Sequence, residues 1–144
     1  MCFGGLMLVY AGIEALSIVF PSLFLFRKAM STVPPATVPQ WISFLLLLVG
    51  GAFYEEALYR VFMPEAICAL LKAPALKYAA EAGVVIVFAL SHRYLGTAAV
   101  VNAILCGVIL RLCFRRTKSI VPGTAAHILY NFMQIVFALI SVSP

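Results

Sequence analysis

The chain has 144 residues, 65% of them hydrophobic and 10% charged, with ten Lys and Arg against five acidic residues, all Glu, for a net charge of +5. Its mean hydropathy of +1.11 exceeds what a soluble domain of this size tolerates. A soluble globular enzyme and a disordered tail are therefore excluded. So is a nucleic-acid binder, because no basic stripe interleaves with stacking aromatics over a polar surface. Cys2, Cys68, Cys106 and Cys113 form no C-x-x-C pair and sit mostly in apolar runs, which points to neither a disulfide framework nor a cysteine zinc site.

A bilayer span needs roughly 20 apolar residues, and the sequence predicts about five spans in one α-helical transmembrane bundle. Residues 2 to 26 are the first, broken only by Glu14 and Pro21 and ending at Arg27-Lys28; the length and the lack of a positive n-region set it apart from a cleaved signal peptide. Residues 31 to 39 hold three prolines and are expected to be an extended surface connection. Residues 1–40 thus make an N-terminal unit, and 41–144 the membrane core. Span two runs from Trp41, an interface marker, to Met63, with Pro64 at its end. Residues 65 to 80 read as a short interfacial helix and loop, and a short span three covers 80 to 92. Span four, 94 to 110, ends in a basic cluster of Arg111, Arg115, Arg116 and Lys118, and the uncharged span five closes the chain from Ser119. Cytoplasmic loops are enriched in Lys and Arg. With five spans, the loops carrying Lys72, Lys77, Arg111, Arg115, Arg116 and Lys118 share a side, which is expected to be cytoplasmic.

Ionisable groups inside the hydrocarbon layer cost at least about 2.5 kcal/mol each and are functional candidates by default. Glu55, Glu56 and Arg60 lie in the second half of span two. Glu56 and Arg60 are four residues apart, with the acid N-terminal to the base as an intrahelical ion pair prefers, so they read as a structural pair. Glu55 points about 100° away and has no local partner, which favours a chemical role such as general base. The two histidines of the chain each end a pattern: Phe88-Ala-Leu-Ser-His92 closes span three, and His127-Ile-Leu-Tyr-Asn131 lies in span five. The i, i+4 step puts His127 and Asn131 on one face, able to converge on one ligand oxygen. The expected depth of His127 agrees with that of Glu55, whereas His92 reaches it only if span three starts near Gly83 or tilts strongly. Asn102 is expected to bond between helices, Gln134 to pack near Asn131, Glu14 to face protein, and Arg93 to anchor a helix end.

The ordered set E-E-x-x-x-R, F-x-x-x-H and H-x-x-x-N, each on an apolar helix, resembles the type II CAAX prenyl endopeptidases and their bacterial relatives, the CPBP or Abi family. The residues that carry the resemblance are Glu55, Glu56 and Arg60; Phe88 and His92; and His127 and Asn131, over roughly residues 41 to 144. The run from Arg116 to His127 also looks like the approach to that family's last motif. Residues 1–40 match nothing specific, and the family generally has more N-terminal helices than this chain supplies, which leaves open a minimal core, a truncated product or a degenerate member. The resemblance implies an intramembrane glutamic endopeptidase in which Glu55 and His92 activate a water, and His127 and Asn131 hold the oxyanion. Glu56, Arg60 and Phe88 support that geometry. It implies no cofactor. By ligand type alone Glu55, His92 and His127 also make a conceivable zinc set with a water as fourth ligand.

Three function classes follow. The first is an endopeptidase acting on a prenylated C-a-a-X tail or another membrane-associated peptide, such as a bacteriocin-like precursor, with the bilayer as a further partner and the site open to the cytosol. The second is a non-catalytic immunity or scaffold protein whose polar residues only bond between helices. The third, an ion or proton transporter, needs a continuous polar path, against which the uncharged first half of span two argues.

Overall fold

The computed structural model describes residues 2–20 and 35–142, and within them six α-helices: α1 (Cys2–Val19), α2 (Val38–Glu56), α3 (Met63–Leu70), α4 (Pro74–Ser91), α5 (Thr97–Thr117) and α6 (Val121–Val142). A π-helical turn, Ala57–Phe62, joins α2 to α3 without a break, and a 3-10 turn, Arg93–Leu95, follows α4. Four stretches are long and apolar enough to cross a membrane: Cys2–Val19, the continuous Val38–Leu70, Pro74–Ser91 and Thr97–Thr117. At 22 residues with no formal charge, α6 matches them in length. The protein is an all-α membrane bundle. Pro21, Arg27, Lys28 and residues 31–34 of the proline-rich connection lie outside the described residues.

Local sequence sets most of the helix ends. Pro39 occupies the first turn of α2, where its missing N–H is not needed, and the Gln40 side chain accepts from the backbone N–H groups of Ala36 and Thr37 at 2.8 and 3.2 Å. Pro74 opens α4 in the same way. Gly96, at φ 98°, takes a left-handed conformation that L side chains disfavour and so turns the chain into α5. Lys118, at φ 53°, ends α5 with its N–H on the carbonyl of Phe114.

Besides the second span, which passes Pro64 and runs on as helix to Leu70, two span expectations need correcting. The third span begins at Pro74, six residues before position 80, so 74–80 is helix and the short span becomes a full 18-residue one. The fourth runs on to Thr117, so Arg111, Arg115 and Arg116 lie within a helix and do not form a loop cluster after it. In both cases a flanking Lys or Arg is carried inside a helix whose charged end reaches the interface, as long basic stems permit.

Helix α5 lies between α1, α4 and α6, while α2 packs on α6. Leu6, Cys106, Leu110, Ala126 and Tyr130 make one core that joins α1, α5 and α6. Phe88, Ala89 and Ala103, with Tyr59 and Val100 against them, make a second that joins the π-turn to α4 and α5. Gly107 permits that second contact, since a Cβ there would come 3.2 Å from Val85 and 3.4 Å from Phe88. Outward faces carry Leu45, Leu46, Leu47, Val49 and many other exposed apolar side chains, which suit hydrocarbon and not water.

Candidate active site

Glu55, Glu56, Arg60 and His127 converge where the end of α2, the π-turn and the first turns of α6 meet. The His127 imidazole stands between the paired glutamates: Nδ1 lies 3.0 Å from Glu56 Oε1, and Nε2 lies 3.7 Å from Glu55 Oε2. Glu56 and His127 are buried, and Glu55 is the more open of the three, with its side chain 31% exposed. Glu56 Oε1 also takes an ion-pair contact from Arg60 Nε at 3.5 Å. The i, i+4 pairing expected for Glu56 and Arg60 is present. The expectation that Glu55 stands without a partner is not met, because the chain returns 72 positions later to place His127 beside it.

Glu56 fits because position 123 is glycine. A Cβ on Gly123 would lie 3.1 Å from Glu56 Oε2, and the same geometry sets that carboxylate against the first turn of α6, the end where backbone N–H groups concentrate positive charge. With Glu56 accepting from Nδ1–H, a neutral His127 presents a lone pair at Nε2 towards Glu55, and only the imidazolium donates from both nitrogens. The tautomer of His127 is therefore coupled to Glu56. Asn131, one turn further along α6, is half-buried, and its side chain makes no hydrogen bond within the described residues.

The F-x-x-x-H motif forms a separate arm. Phe88 is buried with the Arg60 guanidinium 4.1 Å over its ring, and the His92 ring meets it edge-on at 4.9 Å between centroids. A stacked path thus runs from Glu56 through Arg60 and Phe88 to His92. Arg60 is fully buried, and none of its side-chain nitrogens has a hydrogen-bond partner within the described residues, so the Phe88 face and the Glu56 charge are what offset its burial. His92 turns Nδ1 to the carbonyl of Phe88 at 3.0 Å and to Ser91 Oγ at 3.2 Å. A carbonyl only accepts, which places the proton on Nδ1 and leaves Nε2 as a lone pair. His92 makes no hydrogen bond or ion pair with Glu55 or His127 in this structure. Among the described residues no three His, Cys, Asp or Glu side chains come together as metal ligands, so the set Glu55, His92 and His127 is not assembled for zinc here.

Other polar residues support the bundle. Asn102 accepts from the Tyr130 hydroxyl at 2.6 Å, an α5–α6 bond, and from Cys106 Sγ at 3.6 Å. Arg93 is exposed in the 3-10 turn beyond His92. Sequence reasoning missed Arg111, a buried residue that donates to the backbone carbonyl of Arg60 at 2.5 Å and to Glu65 and Glu81 at 3.2 and 2.7 Å. A signal was present in Arg111 and Arg115, which stand four apart and share a helix face towards α4, where Glu81 meets both.

Comparison with protein-family models matches residues 37–133 to one described as type II CAAX prenyl endopeptidase Rce1-like. No curated protein and no solved structure matches the chain.

Proposed function

The chain belongs to the Rce1-like family of type II CAAX prenyl endopeptidases, and on that premise we propose that it is a membrane endopeptidase in which Glu55 activates a water for attack on a peptide carbonyl. The observation that carries this reading is the placement of Glu55, the open member of the glutamate pair, across from an imidazole whose other nitrogen is held by buried Glu56. A nucleophilic water between a carboxylate and an imidazole gives up its proton more readily than in bulk, and preorganised donors in a dry site are often the largest catalytic term.

In this mechanism the water oxygen bonds to the scissile carbon while Glu55 takes one of its protons, and the carbonyl π pair moves onto oxygen. His127 from Nε2, when protonated, and the Asn131 amide one turn away stabilise that oxyanion. The tetrahedral intermediate collapses, the C–N bond breaks, and the proton held on Glu55 passes to the leaving amine. His92 is the second imidazole available to the water through its free Nε2, and a shift of the α4 end is what would bring it in. Glu56, Arg60 and Phe88 hold the donors in place. The reading needs no metal.

The substrate in this proposal is a peptide tethered to the bilayer, either a prenylated C-terminal tail or a membrane-associated precursor of the bacteriocin type, whose lipid or apolar segment lies along the exposed apolar helix faces. The site opens towards the cytosol on the same proposal, because the basic residues Lys72, Lys77, Arg115, Arg116 and Lys118 gather at one end of the bundle, several of them around one polar cleft. A second reading, a non-catalytic immunity or scaffold protein, is favoured by the Glu56–His127 bond, which ties α2 to α6 whether or not chemistry occurs.

The deciding experiment is cleavage of prenylated and unprenylated peptides by purified protein in liposomes, for wild type, Glu55→Ala and His127→Ala, with and without chelator. Cleavage abolished in both variants and unchanged by chelator supports the glutamate mechanism. Chelator sensitivity transfers it to a metal, and folded wild type that cleaves nothing favours the non-catalytic reading.

A further inference from the structure

The π-turn lies between the glutamate pair and Pro64, a residue with no N–H to offer the turn that precedes it. In an α-helix the carbonyl of Arg60 would take the N–H of residue 64, four positions on, but Pro64 has no N–H to give. The wider winding is explicit at Met63, whose N–H reaches the carbonyl of Leu58 five residues back. The donor that the helix lacks is supplied from α5, where Arg111 Nη1 donates to the Arg60 carbonyl at 2.5 Å. The other terminal nitrogen of the same guanidinium, Nη2, reaches Glu65 Oε1 at 3.2 Å, just past Pro64, and Glu81 Oε1 on α4 at 2.7 Å. One planar fork thus grips the chain on both sides of the proline, and Glu81 holds the fork. Arg115 adds a contact of 3.4 Å to the other oxygen of Glu81.

We infer that Arg111 is a positioning residue for the Glu55–Glu56–His127 site: it stabilises the π-turn through the carbonyl that Pro64 leaves without its helical donor, and so sets where the carboxylates stand. The inference rests on the endopeptidase reading for its kinetic consequence but not for its structural one. A guanidinium suits the task because its rigid fork donates in several directions at once, whereas an ammonium acts as a compact point charge. Arg60 rides on the same turn. Displacing its carbonyl therefore moves the cation that pairs with Glu56 and stacks on Phe88.

The test combines kinetics with backbone hydrogen exchange on the full chain in lipid nanodiscs, for Arg111→Gln, Arg111→Lys, Pro64→Ala and the double variant Arg111→Gln/Pro64→Ala, with Arg116→Gln, an exposed residue of the same helix, as control. Arg111→Gln is expected to lower kcat about tenfold with KM little changed, and to speed exchange at the amides of 57–65 by a similar factor, the scale of one charge-assisted hydrogen bond. Arg111→Lys restores part of both, and Arg116→Gln changes neither. Pro64→Ala returns an N–H to the helix, so adding Arg111→Gln to it costs clearly less than adding it to wild type. An equal cost in the two backgrounds overturns the proposal, as does exchange that rises across all helices instead of over 57–65. If wild-type protein cleaves no peptide, the endopeptidase reading fails while the exchange comparison still decides the role of Arg111.

Discussion

Glu56 and His127 stand 71 residues apart in the chain and 3.0 Å apart in the structure, both buried, with one Glu56 oxygen shared between the imidazole and Arg60. Removing one partner of a buried charged pair strands the others, at a cost of about 3–5 kcal/mol. Glu56→Ala is expected to lower stability by that order in a reversible unfolding assay in detergent. A loss under about 1 kcal/mol would mean that the cluster is held by packing alone.

Glu55 should behave in the opposite way. Its side chain is partly exposed and its contact with the His127 imidazole is a loose 3.7 Å. Glu55→Gln is expected to change stability by no more than about 0.5 kcal/mol, while reducing peptide cleavage by about 10²-fold or more, as loss of a general base does. A variant that keeps its activity removes Glu55 from the mechanism.

Two glycines in helices give a paired comparison. Glycine to alanine within a helix ordinarily gains about 0.5–1 kcal/mol, and a Cβ on Gly50 meets nothing within 4 Å. Gly50→Ala is expected to be neutral or stabilising. At Gly123 the new Cβ would stand 3.1 Å from Glu56 Oε2, so Gly123→Ala must push the carboxylate off His127 or shift α6. A loss of about 1–3 kcal/mol is expected, with reduced cleavage. Melting curves of both variants in one detergent provide the check, and equal behaviour of the two would contradict the close approach of α6 to Glu56.

Phe88 links the two histidine-bearing arms through its contacts with Arg60 and His92. Phe88→Leu keeps an apolar side chain but removes the ring face beneath a buried guanidinium, a contact of up to about 2 kcal/mol. Stability should fall by that order, and cleavage should fall in parallel. His92→Ala, which leaves Arg60 stacked, is expected to spare stability. Its activity then reports whether His92 joins the water-activating step, because a variant as active as wild type assigns that step to Glu55 alone.

The membrane class and helix-rich fold were legible without coordinates, since a chain with 65% hydrophobic residues and 10% charged ones has few other ways to satisfy its backbone. The Glu56–Arg60 pair was legible as well, because an i, i+4 relation is local helix geometry. Span ends were not. Lys77 and Arg111 each sit inside a helix that a count of charges cuts short, because a long basic side chain reaches polar surroundings or a buried acid from within the span.

Residue types and their spacing within each helix therefore decided which groups this protein brings into the membrane and which of them share a face. Periodicity carries no information about how one helix is rotated against another. Only the packed bundle decided that His127 stands between Glu55 and Glu56, that His92 turns back onto its own helix, and that Arg111 replaces the donor missing at Pro64. The placement of Glu56 beside His127 depends on close approach at Gly123, and the packing of Phe88 on α5 depends on Gly107, where the absence of a side chain lets neighbouring helices set depth and rotation together.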